Sequence, residues 1–356
     1  MPRVIGIDPG TVSIDICGLD DGRLFLDHSF PTADALREPA AFVARLQEAG
    51  SVDLIVGPSG YGLPCIPAAH LTEEDLRLAF LAREGESGGI GGLRKLVRAL
   101  ATSGLPVMLT PGVVHLPSVP AHRKVNRVDM GTADKVCATV LAVREQADRR
   151  GCAIEQTAFV LLELGGAFTA AIAVQGGRIV DGLGGSSGPP GLRAAGALDG
   201  EVAFLAGRVS KSMIFTGGVD TMAGSTDLAG AGPDVQRARE MYLEGAVKAV
   251  ASLRVAAPDA TEVILSGRVS RSVDVYEDVS RRLRRLGAAS SVEVVRGFSA
   301  SAMQAAHGAA LMADGLAGGA AAALVEHLGI RKASGTVLDH LYVISPERAR
   351  RTLGLE

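Results

Sequence analysis

An internal repeat constrains the fold of this chain more than any other feature of its sequence. The opening segment Val4–Asp27 (VIGIDPGTVSIDICGLDDGRLFLD) matches the segment Phe159–Asp181 in register. Four residue pairs keep a constant offset of 155: Asp8 and Glu163, Gly10 and Gly165, Gly22 and Gly177, and Arg23 and Arg178. Short apolar runs separated by turn residues predict a strand, a tight turn, a strand, a hairpin and a strand in each copy. We therefore expect two similar domains that each present a hairpin to a shared cleft.

The first turn of the opening segment carries residue types that bind a metal–phosphate group. Pro9 and Gly10 break the strand, and Gly10 lets a ligand approach the backbone closely. Asp8 can hold Mg²⁺ directly or through water, while Thr11 and the turn amides face phosphate oxygens. Asp-Pro-Gly is also ordinary β-turn chemistry, so a structural turn is the alternative for this copy alone. The second copy favours the functional interpretation.

Length and composition indicate an α/β protein of two domains. A chain of 356 residues exceeds the size at which one core usually stops growing, and 47% hydrophobic residues suffice for two cores. We predict an N-terminal domain over 1–150, a C-terminal domain over 151–330 and a tail over 331–356 that packs on the core. The tail is expected to dock on the surface or at a subunit contact, so a homodimer is an alternative to a monomer.

Charge, aromatic content and cysteine usage limit the classes of partner. A formal net charge of −3 and the lack of Trp argue against a nucleic-acid binder. The four scattered cysteines form no CxxC pair, as in a protein of the reducing cytoplasm. The most apolar late run, Gly315–Leu324, is predicted to be a buried helix rather than a membrane span. The chain begins with a strand rather than a signal sequence, so we expect a cytoplasmic protein without a membrane partner.

The most unusual local sequence is the run His122–Lys135, HRKVNRVDMGTADK. Apolar spacing after it predicts a helix with Thr132 as its N-cap and Asp134 in its first turn. Three cationic residues and one carboxylate precede the helix: Arg123, Lys124, Arg127 and Asp129. They form either a solvated loop before a capped helix or an anion-binding loop with Asp129 aimed into a cleft.

Gly-rich loops elsewhere have two interpretations each. The loops 57–62 and 184–191 either contact a ligand or serve as plain connectors. The run Met213–Phe215 is predicted to be a short strand that leads into the turn at Gly217 and Gly218. A helix over Ser299–Leu316 would suit close helix–sheet packing, because it is rich in Ala and Gly.

Motifs of other nucleotide sites and hydrolases are missing from the sequence. It contains neither GxxxxGK[ST] nor HExxH, and no Cys-His nucleophile arrangement stands out. The run Gly89–Gly92 follows no predicted strand, so it does not support a dinucleotide fingerprint. No motif of another nucleotide site therefore competes with the repeated hairpins as the predicted phosphate site.

Three segments resemble the motifs of the superfamily of acetate and sugar kinases, Hsp70 chaperones and actin (ASKHA). IGIDPGTVS is similar to its first phosphate motif, LLELGGAFT to the second, and VILSGRVSRS to the adenosine motif. Within the superfamily the chain resembles the DUF1464 family of predicted butyrate kinases, through HRKVNRVDMGTADK, GALDGEVAFL and SGYGLP. The resemblance implies two tandem ribonuclease H-like (actin-like ATPase) domains, with ATP and Mg²⁺ in the cleft between them.

The resemblance also implies site residues. Asp8 would anchor Mg²⁺. The nucleotide would contact Gly10, Thr11, Gly165, Gly166, Gly217, Gly218, Ser266, Gly267 and Ser270. The catalytic candidates are Asp129, Arg123, Arg127 and Glu163. Glu163 departs from the pattern, because many members have Asp there and acetate and butyrate kinases have His, which leaves the role of the second phosphate motif open.

The phosphoryl acceptor depends on which charges face the γ-phosphate. An alcohol must lose a proton as it attacks, so it needs a base, and Asp129 leaves that acceptor open. A carboxylate is already ionised at pH 7, with a reference pKa of about 4, and it needs cations to offset repulsion. Arg123, Lys124 and Arg127 would supply them, so a small carboxylate substrate is favoured. The alternatives are a kinase of a hydroxyl-bearing metabolite and an ATP-binding switch or activator without a small-molecule acceptor.

Overall fold

The structure, a computed structural model, describes residues 2–57, 60–82 and 91–355. The predictions for residues 58–59 of the loop 57–62, and for Gly89 and Ile90 of the run 89–92, lie outside the described residues. The strands are β1 (Arg3–Pro9), β2 (Ser13–Asp20), β3 (Arg23–Pro31), β4 (Leu54–Gly57), β5 (Ile66–Pro67), β6 (Val107–Leu109), β7 (Phe159–Leu164), β8 (Thr169–Gln175), β9 (Arg178–Leu183), β10 (Glu262–Ser266) and β11 (Ser291–Val294).

Helices surround these strands. The α-helices are α1 (Thr32–Arg37), α2 (Pro39–Gln47), α3 (Glu73–Phe80), α4 (Gly91–Ala101), α5 (Ala121–Lys124), α6 (Ala133–Arg150), α7 (Gly200–Ala206), α8 (Val219–Ala223), α9 (Pro233–Leu253), α10 (Val273–Arg285), α11 (Gln304–Leu316), α12 (Ala322–His327) and α13 (Pro346–Thr352). Within the described ranges, none of them has the length and apolar character needed to cross a membrane.

The strands form two mixed sheets that share a five-stranded topology. Their orders are β3-β2-β1-β4-β6-β5 and β9-β8-β7-β10-β11. In each sheet three antiparallel strands come first, and the next two strands then run parallel to the first one. The first sheet has one more strand, β5, which pairs antiparallel with β6. β1 and β7 are apolar and buried, as expected for central strands covered on both faces. The fold is therefore the predicted α/β arrangement of two tandem domains.

The internal repeat extends to the register of the strands. Asp8 lies opposite Asp15 in the first hairpin, and Glu163 lies opposite Ala170 in the second, so both partners are 155 residues apart. The pairing between the second and third strands also shifts at equivalent places, after Gly18 in one sheet and after Ala173 in the other. The two copies therefore have the same strand register and the same register shift, although their side chains differ.

Helices α6 and α11 pack against each other between the two sheets. α11 lies on β1, β2 and β4, whereas α6 contacts β7 and β8. Small residues permit this close contact: a Cβ on Gly308 of α11 would lie 1.7 Å from the carbonyl oxygen of Cys137 on α6. α11 follows the second sheet in the chain but covers the first one. The domain boundaries at 1–150, 151–330 and 331–356 stay a prediction.

α11 begins at Gln304 rather than at the predicted Ser299. The backbone amides of residues 300–302 donate to the Asp27 carboxylate of β3 at 2.8–3.0 Å, so this stretch does not enter the helix. Because a carboxylate that accepts several amides is well satisfied, it can hold a non-helical turn.

Two other elements also differ from their predictions. The run Met213–Phe215 belongs to a 3₁₀ helix over Lys211–Phe215 and is not a strand. The run Gly315–Leu324 is not one helix, because α11 ends at Leu316 and α12 begins at Ala322. The Asp314 carboxylate closes the turn between them by accepting a hydrogen bond from the Ala321 amide at 2.8 Å.

Candidate active site

The turns of the two repeated hairpins meet across a cleft of about 1040 Å³. A Cβ on Gly166 of the second turn would lie 3.1 Å from Val12 Cγ2 and 3.7 Å from Thr11 Oγ1 of the first turn. Thr11, Val12 and Gly166 all line the cleft. The two hairpins therefore face each other tip to tip, as the repeat predicted.

Equivalent glycines shape both turns. A Cβ on Gly10 would lie 2.8 Å from the carbonyl oxygen of Ser13. A Cβ on Gly165 would lie 2.7 Å from the carbonyl oxygen of Phe168, which is the equivalent contact in the second copy. Backbone atoms cannot yield as side chains do, so each turn requires glycine. The backbone is thus left open to a ligand at both tips.

Four charged side chains gather below the two turns. Lys135 Nζ donates to Asp134 Oδ2 at 2.5 Å and to Glu163 Oε1. Asp134 and Lys135 lie in the first turn of α6, and Glu163 and Asp8 are the penultimate residues of β7 and β1. All four line the cleft and are largely or fully buried. Three carboxylates therefore share one ammonium group.

This crowding shifts the pKa values of the cluster in different directions. Burial, with the negative charge of Asp134, raises the pKa of Asp8 well above its usual value. Burial also raises the pKa of Glu163, although Lys135 opposes the shift. For Asp134, burial is outweighed by Lys135 and by hydrogen bonds, so its pKa is lowered. A positive charge beside Asp8 would favour its ionised form.

The donor chemistry of the cluster fits Mg²⁺ held together with phosphates. Among the residues that the structure describes, no three His, Cys, Asp or Glu side chains converge into a metal site of their own. Mg²⁺ usually binds through one or two carboxylates together with phosphates and waters. Asp8, at the base of the first turn, offers such a carboxylate. The residues fit an ion that arrives with a nucleotide.

Nine of the predicted site residues line the cleft. They are Asp8, Gly10, Thr11, Asp129, Glu163, Gly165, Gly166, Ser266 and Gly267. Five others do not: Arg123, Arg127, Gly217, Gly218 and Ser270. The chain therefore brings together both phosphate turns and the end of β10, but not the two arginines of the loop before α6.

Arg123 lies beside β9 instead. Arg123 Nη1 donates to the carbonyl oxygen of Val180 at 2.8 Å, and its Nε lies 4.0 Å from Asp181 Oδ2. Burial raises the pKa of Asp181, and the positive charges of Arg123 and Arg127 oppose that shift. The catalytic assignment of both arginines is therefore not supported, because neither lines the cleft and Arg123 is held at the second sheet.

The three remaining residues are engaged by the backbone near them. Ser270 is buried, and its hydroxyl donates to the carbonyl oxygen of Gly267 at 2.7 Å. The Gly218 amide donates to the carbonyl oxygen of Arg193 at 2.9 Å. Gly217 pairs with Ala194 in an isolated bridge. Direct nucleotide contact by Ser270, Gly217 and Gly218 is therefore not supported.

Asp129 reaches the cleft but is fully engaged by hydrogen bonds. Its Oδ1 accepts from the Gly131 amide at 3.2 Å, and its Oδ2 accepts from the amide and hydroxyl of Ser186, both at 2.9 Å. Burial raises the pKa of Asp129, while these bonds lower it. Asp129 thereby ties the loop 184–191 to the start of α6. Gly185 and Ser186 of that loop line the cleft.

Sequence reasoning missed several residues of the cleft, namely Ser13, Asp15, Asp134, Lys135 and Arg268. Two signals could have indicated them. Ser13 and Asp15 are polar residues at alternate positions of a strand that continues from the first turn, so they share a face. Asp134 and Lys135 open a helix directly after the unusual charged run, and helix N-termini often face ligands.

Apolar side chains from the first half of the chain form one wall of the cleft, which comprises Leu36, Tyr61, Phe80, Ala82 and Leu93. Lys211 crosses from the second half, with its Nζ 5.5 Å from the centroid of the Tyr61 ring. A cation therefore lies next to an apolar wall. Gly60 and Tyr61 place the described end of the loop 57–62 at the cleft.

A family profile identifies the chain. The family described as "Protein of unknown function (DUF1464)" matches residues 6–343. The chain belongs to the DUF1464 family. No curated protein matches the sequence of this DUF1464 protein.

Solved structures show the fold of the DUF1464 protein. A propionate kinase from Francisella tularensis subsp. tularensis SCHU S4 superposes with a TM-score of 0.64 at 11% identity, over 86% of this chain and 99% of that one. An acetate kinase from Entamoeba histolytica gives 0.58 at 12% identity, over 80% and 87% of the two chains. The Porphyromonas gingivalis acetate kinase gives 0.55 at 14%, over 80% and 88%. The DUF1464 protein therefore has the fold of the ASKHA superfamily.

Proposed function

We propose that this DUF1464 protein is an ATP-dependent phosphotransferase that acts on a small carboxylate. The observation that carries the proposal is the meeting of two hairpin turns above the buried cluster of Asp8, Asp134, Lys135 and Glu163. Paired glycine turns with carboxylates beneath them suit a polyphosphate and its Mg²⁺. Three structures of the same fold are named acetate or propionate kinases, which supports this reaction class.

The nucleotide would lie across both halves of the cleft. Gly10 and Thr11 from the first turn, with Gly165 and Gly166 from the second, would line its phosphates. Ser266 and Gly267, at the end of β10, would contact the nucleoside side. The Ser266 hydroxyl is buried and has no hydrogen-bond partner among the described residues, so it remains available to a ligand.

Positioning and charge neutralisation would do most of the catalytic work. Mg²⁺, held by Asp8 directly or through water, would offset the charge of the transferring phosphoryl group. Lys135 would keep Asp134 and Glu163 from repelling that phosphoryl group, because it already pairs with both of them. Glu163 would then contribute its negative charge to the site rather than bind the substrate, because its carboxylate already bonds to the Lys135 ammonium.

The residues that line the cleft favour a carboxylate acceptor over an alcohol. A carboxylate needs no base, and Asp129 already accepts three hydrogen bonds. The apolar wall suits a short aliphatic chain, and the Lys211 ammonium beside Tyr61 suits its charged end. The cations expected from Arg123 and Arg127 would thus come from the second half of the chain instead.

Trapping of an acyl phosphate tests the proposal. With ATP, Mg²⁺ and short-chain acids, hydroxylamine should yield an acyl hydroxamate, and Asp8→Asn should lower the rate at least a hundredfold with the fold intact. Asp21→Asn removes one charge from the next turn, where φ of 50° suits Asn, and should leave the rate unchanged.

Two outcomes would contradict the carboxylate acceptor, and a third would contradict the phosphate site. ADP release stimulated by alcohols or sugars, without any hydroxamate, would indicate a hydroxyl acceptor. Slow ATP hydrolysis that no small molecule stimulates would indicate an ATP-driven switch. Full activity of Asp8→Asn would overturn the role of the first turn.

A further inference from the structure

A second carboxylate lies beside Asp8 and has no part in the mechanism above. Asp15 on β2 is directly opposite Asp8 in the antiparallel β1–β2 ladder. Residues that face each other in this way project from the same side of a sheet, about 5 Å apart at Cβ. Both side chains line the cleft and are buried, and Asp15 is only 1% exposed.

The two oxygens of Asp15 differ in their partners. Oδ2 accepts a hydrogen bond from Ser13 Oγ at 2.9 Å, and Ser13 Oγ in turn accepts one from Arg268 Nη2 at 3.3 Å. Oδ1 is buried and forms no hydrogen bond of good geometry with a described residue, although the Ser29 hydroxyl and the Met303 amide lie near enough to lower the pKa of Asp15 against the effect of burial. A buried carboxylate oxygen without a partner is costly, and it calls for a ligand at that position.

The second hairpin shows that the fold does not require this carboxylate. Its equivalent position is Ala170, which pairs with Glu163 as Asp15 pairs with Asp8. Ala170 is buried to the same degree as Asp15, at 1% exposure. A strand pair of this kind therefore forms with a methyl group at that position, so the hairpin by itself does not require a carboxylate there.

Among the described residues, no cation forms a direct ion pair with Asp8 or Asp15. Lys135 bonds to Asp134 and Glu163, and Arg268 bonds to Ser13 rather than to a carboxylate. Two carboxylates that face each other across a ladder repel. A divalent cation beside both would remove the repulsion and pair the orphaned oxygen.

We propose that Asp15 is a second carboxylate for the divalent cation that accompanies the nucleotide. Asp8 and Asp15 bind the cation from neighbouring strands, directly or through water, and the nucleotide phosphates complete its shell. Two carboxylates with phosphates and waters are a usual environment for Mg²⁺. The inference rests on the proposed nucleotide site but not on the identity of the acceptor.

Manganese binding tests this role without any phosphoryl transfer. Mn²⁺ prefers the same oxygen ligands as Mg²⁺, and its binding to the full chain can be titrated by electron paramagnetic resonance in the presence of ADP. Asp15→Ala should weaken Mn²⁺ binding at least tenfold. Asp21→Asn, the matched loss of one charge, should bind Mn²⁺ as the unchanged chain does. Without metal, Asp15→Ala should melt at the same or a higher temperature, since Ala170 occupies the equivalent position.

Two results would overturn the inference. The first is an Asp15→Ala variant that binds Mn²⁺ as tightly as the unchanged chain does, even if its KM for the acceptor is higher. The second is weaker Mn²⁺ binding together with a lower melting temperature without metal, because that would make Asp15 structural. If Mn²⁺ binding depends on Asp15 but no acid yields a hydroxamate, the carboxylate kinase fails while the cation role stands. If the hydroxamate forms and Mn²⁺ binding ignores Asp15, only the cation role fails.

Discussion

Lys135 balances the charge of the cleft. Its ammonium bonds to Asp134 and Glu163, and Asp8 lies close enough to favour its charged form as well. Burial alone would lower the pKa of a lysine, yet these carboxylates raise the pKa of Lys135. Removing one partner of a buried ion pair is expensive, because the remaining charges lose their compensation.

Lys135→Met should therefore lower the free energy of unfolding by about 3 kcal/mol, as measured by urea denaturation without nucleotide. Lys248→Met is the matched control, since Lys248 forms an exposed pair with Glu244 on α9. Its loss should cost less than about 0.5 kcal/mol. A similar small cost at both positions would show that solvent, rather than Lys135, compensates the three carboxylates.

Individual site residues could be predicted only where the backbone fixes their direction. Asp8 and Glu163 lie at the ends of buried strands, and the repeat alone placed them on facing turns. Arg123 and Arg127 were grouped with Asp129 by proximity in the sequence. A charged run does not show which of its members turns inward, however, and Val180 and Asp181, which Arg123 contacts instead, lie far along the chain.

The start of α11 depends on a contact between distant strands and loops. Asp27 at β3 holds the amides of residues 300–302 and so sets where the helix begins. Burial works against ionisation of Asp27, but the amides outweigh it and lower its pKa to about 2. Sequence spacing could not reveal this start. The residues just before Gln304 are compatible with a helix, and only their contact with the distant Asp27 keeps them out of it.

Asp27→Asn should reduce the free energy of unfolding by about 1 to 2 kcal/mol at pH 7, after allowance for solvent screening. Because the folded pKa is depressed, the stabilisation is complete above the unfolded value of about 4 and is lost as pH falls towards 2. Urea denaturation at pH 7 and near pH 3 should show the difference between the two proteins shrink. A difference that does not change with pH would mean that the carboxylate charge is not what holds the turn.

Two other elements show when the local sequence is enough to predict an element and when it is not. α6 begins at Ala133 after Thr132, as predicted, although the Thr132 hydroxyl donates to Asp134 instead of capping the helix. The run Met213–Phe215 has strand-like residues, but neither sheet offers it a neighbour and it forms a 3₁₀ helix. The start of α6 thus follows local chemistry, whereas a short strand exists only if a partner strand is in place.

The distance between the two halves is set by the packing of α11 between α6 and the first sheet. A Cβ on Gly6 of β1 would lie 2.1 Å from the Ala310 amide nitrogen, and one on Gly308 would lie 1.7 Å from the Cys137 carbonyl oxygen. In both cases the added Cβ would clash with a backbone atom, so rotation of a side chain could not relieve the clash. The same elements carry the cleft, because β1 holds Asp8 and α6 holds Lys135.

Gly308→Ala should therefore destabilise the fold by about 3 kcal/mol and also weaken the binding of ADP with Mg²⁺, since it moves α6 away from β1. Gly200→Ala is the control, because a Cβ at Gly200 in α7 meets nothing within 4 Å, and it should change stability by less than about 0.5 kcal/mol. Calorimetric unfolding and nucleotide titration separate the two effects. If Gly308→Ala lowered stability but left ADP affinity intact, the helix pair would set only the core. If both fell together, the spacing of α6 and β1 would set the geometry of the cleft.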